Sequence, residues 1–175
     1  NAAGGLLGKQ IEVIGYDTRG DATEAVNAVK RLTSQDKVVA ILGPNASGQA
    51  ISISGVLEQM KVANIATVAT NPKVTVNDDG SVKPYNFRVC FIDPYQGAVA
   101  AGYAADKLSF TKAAILYDVT SDYSQGLTEF FEKTFTEKGG TIVAKEGFKA
   151  GDVDFRAQLS KIKEAQPEVI FMPYY

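Results

Sequence analysis

Short β-rich runs alternate with longer helical stretches along this chain, and that alternation constrains its fold more than any other feature. The run KQIEVIGYD (residues 9–17) reads as a strand, and ATEAVNAVKRLTSQ (22–35) as a helix that Asp21 caps, with Glu24 in its first turn. Val26, Val29 and Leu32 share a face of that helix. KVVAIL (37–42) is nearly continuous in apolar residues, as expected of a strand covered on both faces. A helix is predicted from about Ser47 to Lys61, then a strand in ANIATVAT (63–70), a turn-rich loop over 71–84 and a strand in YNFRVCF (85–91). The rhythm then restarts. A small-residue helix over 93–109 leads into the strand KAAILYD (112–118). A helix over 121–138 follows, with Tyr123, Leu127, Phe130, Phe131 and Phe135 on its apolar side and Gly139-Gly140 at its end. TIVAKEGFKAGD (141–152) is a strand and loop. VDFRAQLSKIKEAQP (153–167) is a helix with Phe155, Leu159 and Ile162 spaced for burial, and EVIFMPYY (168–175) is a last apolar strand.

This order implies βαβ units, parallel sheets and right-handed crossovers, an α/β fold. The restart near Phe91 to Pro94 divides the chain into two units, 1–92 and 93–175, with a cleft expected between them. At 175 residues the chain has enough material for one ordinary domain or two small ones.

Composition narrows the chemistry. The chain has no histidine, which removes Ser-His-Asp and Cys-His catalysis and His-ligated zinc. Its single cysteine, Cys90, offers neither an internal disulfide nor a CxxC metal site, and reads as a small buried side chain. A net charge of −2 gives no footprint for nucleic acid. No run approaches the ~18 to 20 apolar residues that span a bilayer. Asp78-Asp79-Gly80, in VNDDGSVKP, reads as a solvated turn in preference to a Ca²⁺ site. No metal or cofactor is expected.

The segment GPNASGQA (43–50) follows KVVAIL and spaces its glycines as a phosphate loop does. The pattern G-x-x-x-x-G-K-[ST] fails at its functional end, because Gln49 replaces the lysine and Ala50 the metal-binding hydroxyl. What remains is a strand, a Gly-Pro turn and a helix opening at Ser47. Ligands in parallel α/β sheets bind at the carboxyl ends of strands. Ser47 is therefore either an anion-binding hydroxyl or simply a helix N-cap. ATVATNP (66–72) ends the next strand and adds Thr70, with a hydroxyl and an amide, beside Val68 and Ala69. Together these make a pocket floor for a small zwitterion, its carboxylate on Ser47 and Thr70 and its ammonium on a backbone carbonyl near Val68.

With those residues in view, the sequence resembles the type I periplasmic binding proteins of branched-chain amino acid ABC transporters. The resemblance is carried by NAAGGLLGKQIEVIGYD, DATEAVNAVKRL, VVAILGPNASG, ATVATNPKVT, YNFRVCFIDPYQG, ILYDVTSDYSQGL, FKAGDVDFRAQLSKIK and VIFMPYY. It runs over essentially the whole chain, and its motifs are specific together while each is weak alone. It implies two Rossmann-like lobes closing on an amino acid by hinge motion, with no cofactor and no enzymatic activity. Ser47, Val68, Ala69 and Thr70 match the first-lobe site. Tyr123, which by itself reads equally as a core or staple residue, matches a second-lobe ligand residue. A family tyrosine matches Tyr174 or Tyr175, and Tyr175 is preferred. Asp93 matches an acidic residue at the lobe crossover and reads as a hinge or closure group.

The resemblance also implies a membrane permease as partner, a monomeric state and a periplasmic or extracellular location reached by a signal peptide, with a lipid anchor as an option. Family members are longer than this chain. A first strand, a first helix and an aromatic loop residue are missing at the front, and an acidic partner for the ligand ammonium at the back. The chain is accordingly expected to be a piece of a larger protein. Other expectations stay open: a ligand-sensing receptor or regulator of the same fold, a binder of an aromatic acid, amide or urea, or an enzyme of Rossmann type.

Overall fold

A computed structural model describes residues 1–175 and contains two separate three-stranded parallel sheets. In the first half, helix α1 (Ala22–Ser34) precedes strand β1 (Ala40–Leu42), helices α2 (Ser47–Ser52) and α3 (Ser54–Met60), strand β2 (Ala63–Ala66), a 3₁₀ turn (Pro72–Val74) and strand β3 (Asn86–Arg88). In the second, helix α4 (Asp93–Gly102) runs on through a π-helical turn (Tyr103–Lys107). Strand β4 (Lys112–Asp118), helix α5 (Asp122–Glu137), strand β5 (Thr141–Phe148), helix α6 (Arg156–Ala165) and strand β6 (Val169–Phe171) follow. The sheet orders are β1-β2-β3 and β5-β4-β6, all neighbours parallel, as the alternation of elements requires.

The first core joins Ala25 and Val29 of α1, Ile41 of β1, and Ile53 and Leu57 around α3. The second joins Ala101 and Ala104 to Ala113 and Ile115 of β4 and to Phe131 and Phe135 of α5. Phe131 stacks on Phe135 at 5.5 Å and on Phe171 at 4.1 Å. β4 is the central strand of its sheet and is buried on both faces over Ala113–Leu116, hence its continuous apolar run.

Several expectations change. Of KVVAIL only Ala40–Leu42 forms a strand, and it is covered on one face: Ile41 is buried while Val39 and Leu42 are exposed, because no layer lies on the other side. The helix expected over 47–61 is broken at Ile53 into α2 and α3. Residues 9–17 form no strand, and Ile11 and Val13 stay exposed. The reason is that a strand needs a hydrogen-bonding neighbour, and none lies alongside. The segment is held instead by side chains, with Tyr16 Oη donating to Asp36 at 2.9 Å and Arg31 lying over the Tyr16 ring. Leu159, expected to be buried, is half-exposed, while Ile162 on the same helix is buried. α6 is covered only along one narrow stripe, against β5 and β4. The predicted strand 63–70 ends at Ala66, so Thr67 to Thr70 form a loop beyond its carboxyl end.

Candidate functional site

Every candidate residue follows the carboxyl end of a strand or opens the next helix. Ser47 lies beyond β1, Val68 to Thr70 beyond β2, Asp93 beyond β3, Tyr123 beyond β4 and Tyr175 beyond β6. Short parallel strands that all point one way bring these ends together.

Gly43 holds φ at +102°, a value that favours glycine, and its peptide bond to Pro44 is cis. The chain then enters α2. Ala46, not Ser47, is the N-cap, so the simple capping role for Ser47 is overturned. Ser47 is fully buried, and its hydroxyl accepts the Asn71 backbone N–H at 3.3 Å. This bond ties the loop after β2 to the turn after β1. The Ser47 backbone N–H in turn donates to the Tyr175 phenolic oxygen at 3.2 Å.

Thr70 is buried and its hydroxyl has no partner, while its carbonyl accepts the Asp93 N–H at 3.0 Å. Ala69 is fully buried, but the Val68 side chain is exposed. The Ala69 carbonyl accepts from Arg88 Nη1 at 3.1 Å and weakly from Cys90 Sγ at 3.7 Å, so it is turned toward Arg88. Cys90 is half-buried, not fully enclosed as its composition-based reading has it.

Asp93 opens α4 with its side chain fully buried and neither carboxylate oxygen hydrogen-bonded. Burial pushes its pKa up from 3.8 to about 6, against the opposing pull of the nearby Thr70 hydroxyl and the Arg88 cation. Burial in turn lowers the Arg88 pKa, with Asp93 among the groups that resist that shift.

From the second half, Tyr123 and Tyr175 stack with ring centroids 4.5 Å apart and planes 21° apart. The Tyr123 hydroxyl accepts from Gln96 Nε2 at 3.4 Å. Tyr174, the alternative to Tyr175, instead packs edge-on against Phe148 at 5.2 Å. The structure therefore joins Ser47, Tyr123 and Tyr175 in one chain of contacts, and Thr70 and Asp93 in a second.

Four residues not singled out in the sequence help build this arrangement. Asn71 Nδ2 donates to the Asp122 carbonyl at 2.8 Å, a bond between the two halves. Gly126 lets α5 approach that point: a Cβ there would lie 2.5 Å from Asp93 Oδ2 and 2.8 Å from Asn71 Nδ2. Ser124 Oγ donates to the Pro173 carbonyl at 2.6 Å and accepts the Asp118 N–H at 2.9 Å, fixing the tail that carries Tyr175 to the end of β4. Arg88 pins the loop after β2. Glycine inside SQGLTEFF was the one legible signal, since a helix interior disfavours glycine unless close packing needs it. Beside these contacts opens a polar cleft of about 310 Å³, lined among others by Asn71, Lys73, Asp122, Gln125 and Glu129. It contains neither Ser47 nor Thr70 and adjoins the candidate site without being it. Asp79 bonds Ser81 within its own exposed turn, in keeping with the solvated-turn reading.

Chemically the site offers amides, hydroxyls, a buried carboxylate and two aromatic faces. That is a set for holding a small polar molecule. No group of three or more metal-ligating side chains is present. No helix is long and apolar enough to cross a membrane.

Comparison with known proteins agrees with this architecture. The family model described as "Periplasmic binding protein" matches residues 1–175. An amino acid binding protein of Pseudomonas aeruginosa is 33% identical over 171 residues, covering 98% of this chain and 44% of the relative. A Leu/Ile/Val-binding protein homolog of Brucella abortus shows the same identity and coverage. Among solved structures, the leucine binding protein LivK of Thermotoga maritima is 40% identical with a TM-score of 0.88, covering 95% of this chain and 46% of its own. The branched-chain amino acid transporter substrate binding protein LivJ of Streptococcus pneumoniae, in complex with isoleucine, is 36% identical with a TM-score of 0.88, over 99% and 48%. A solute binding protein of Rhodopseudomonas palustris, in complex with 3,4-dihydroxybenzoic acid, is 28% identical with a TM-score of 0.82, over 94% and 44%. The chain thus spans a little under half the length of these relatives. Its whole length matches the family model, so this chain belongs to the periplasmic binding protein family, with that family's type I architecture of parallel sheets flanked by helices.

Proposed function

We propose that this chain is part of the substrate-binding component of an ABC transporter and takes a branched-chain or other aliphatic amino acid between two lobes, 1–92 and 93–175. The observation that carries this reading is the bond from Ser47 N–H to Tyr175 Oη, which joins the end of β1 to the end of β6 across the two halves. Ser47, the Val68 to Thr70 backbone and Tyr175 hold the ligand, with Tyr123 stacked behind Tyr175. The Thr70 hydroxyl, buried near the Asp93 carboxylate but without a hydrogen bond of normal geometry to it, is available to a ligand oxygen or ammonium. Asp93 serves closure, since its carboxylate is covered where Gly126 of α5 meets Asn71. The lobes close because the ligand gains contacts to both sides only in the closed state. The protein works outside the cytoplasm, in the periplasm or at the cell surface, as a monomer that delivers its ligand to a membrane permease.

A second ligand class, an aromatic acid, is favoured by the stacked faces of Tyr123 and Tyr175 and by the likeness to the R. palustris protein that holds 3,4-dihydroxybenzoic acid. A thermal-shift panel on the full-length protein decides between them. Leucine, isoleucine or valine at about 100 times the dissociation constant should add about 2.7 kcal/mol to folded-state stability. Stabilisation by 3,4-dihydroxybenzoate alone would move the assignment to the second class, and stabilisation by ATP or NAD alone would overturn both.

A further inference from the structure

Arg88 ends β3 with its side chain under the loop that follows β2. Nη1 donates to the carbonyls of Ala69 at 3.1 Å and Asn71 at 2.8 Å, and Nη2 donates to Thr75 Oγ1 at 2.9 Å. The two carbonyls flank Thr70. On the opposite side of the loop the Asn71 N–H reaches Ser47 Oγ, and the Thr70 carbonyl is taken by the Asp93 N–H. With its neighbours fixed in this way, Thr70 is left as the residue of the loop whose hydroxyl has no partner. No carboxylate pairs with the guanidinium within ion-pair distance. Its donors go to the loop backbone and to a loop hydroxyl.

We propose that Arg88 is a positioning residue for ligand binding: its planar fork clamps the carbonyls of Ala69 and Asn71 and so presents the Thr70 hydroxyl and amide to the cleft. The proposal deepens the reading that Thr70 contacts ligand, and it rests on that reading. Arginine suits the task because one rigid fork can satisfy two carbonyls and a hydroxyl together, which a lysine ammonium on a flexible stem cannot do in the same geometry. β3 supplies the residue that shapes the loop.

The test compares Arg88→Lys and Arg88→Met with the unmodified full-length protein, by amide hydrogen exchange without ligand and by calorimetry with isoleucine. In Arg88→Met, exchange at Asn71 and Val74 should speed up at least tenfold while amides of β4 keep their rates. Isoleucine affinity should fall at least tenfold. Arg88→Lys keeps the charge but loses the fork, so it should recover less than half of the lost binding free energy. Equal slowing or speeding across both sheets, with affinity tracking global stability, would reduce Arg88 to a structural residue and overturn the proposal. Full recovery by lysine would overturn the fork argument and leave only charge. If the unmodified protein fails to bind isoleucine while the exchange changes stay local to 69–75, the ligand reading fails and the clamp itself stands.

Discussion

The two sheets of this molecule are built on different principles. The second has a seven-residue central strand, a buried run from Ala113 to Leu116 and a ladder of stacked rings through Phe135, Phe131 and Phe171. The first has strands of only three or four residues. Its fully buried positions include Asn64, and Asn64 lies in register with Asn86 on the neighbouring strand. Neither amide group has a partner, and the same is true of the Thr70 hydroxyl beyond β2; in the second half the Asp93 carboxylate and the Thr128 hydroxyl, both on helices and not in the sheet, share that state. Buried polar groups without partners are costly. The second sheet therefore supplies packing, and the first carries polar groups that packing alone would not select. The difference teaches that the second sheet is built for packing, while the candidate site draws on loops of both halves: Ser47 and Thr70 from the first, Asp93, Tyr123 and Tyr175 from the second.

The sharpest way to break this comparison is Phe131→Ala. Removing a fully buried ring that stacks on two others should cost about 3 to 5 kcal/mol. Chemical denaturation measures it, and a loss below about 1 kcal/mol would mean that the second sheet is not the packing half. Next in size is Gly126→Val. Its new side chain would collide with Asp93 Oδ2 and Asn71 Nδ2, so the halves must separate. We expect roughly a tenfold to hundredfold loss of isoleucine affinity (~1 to 3 kcal/mol). Small-angle scattering should show a larger particle, whereas an unchanged radius and affinity would remove closure from the role of this contact.

The smallest effect concerns pH. The folded-state pKa of Asp93 is raised, so folding takes up a proton there. That contribution is fully present below about pH 3.8 and is lost as the pH rises through about 6. Arg88, Thr70 and Asn71 are the charged and polar groups set against it. Asp93→Asn should flatten the stability profile across this window and raise stability at pH 7 by about 1 kcal/mol after solvent screening. A slope identical to that of the parent protein would show that Asp93 stays ionised and hydrated in the folded state.

Much of the fold is legible in the sequence. Helix α1 starts after Asp21, whose side chain accepts the Glu24 N–H, because an N-cap and an apolar face are local properties of a short segment. Helix α5 and its buried Leu127, Phe131 and Phe135 follow from spacing in the same way. The strand expected in KQIEVIGYD is the largest departure. Its apolar alternation has the right period, but a period cannot supply the neighbouring strand that a ladder requires. Of the site, Ser47, Thr70, Asp93, Tyr123 and Tyr175 could be proposed from motif and resemblance. Asn71, Arg88 and Ser124 could not, since each acts through a partner distant in sequence, and Gly126 left only the mark of a glycine inside a helix.

The sequence by itself determined the alternation of helices and strands from α1 onward, their parallel pairing and the lack of histidine chemistry. These depend on hydrogen bonds within a few residues, on the side-chain period and on composition. Only the tertiary structure decided that Ala46 caps α2 in place of Ser47, that Tyr175 and not Tyr174 meets Tyr123, and that Arg88 turns the Ala69 carbonyl toward itself. Those outcomes are set by which groups remain to satisfy one another once distant segments meet.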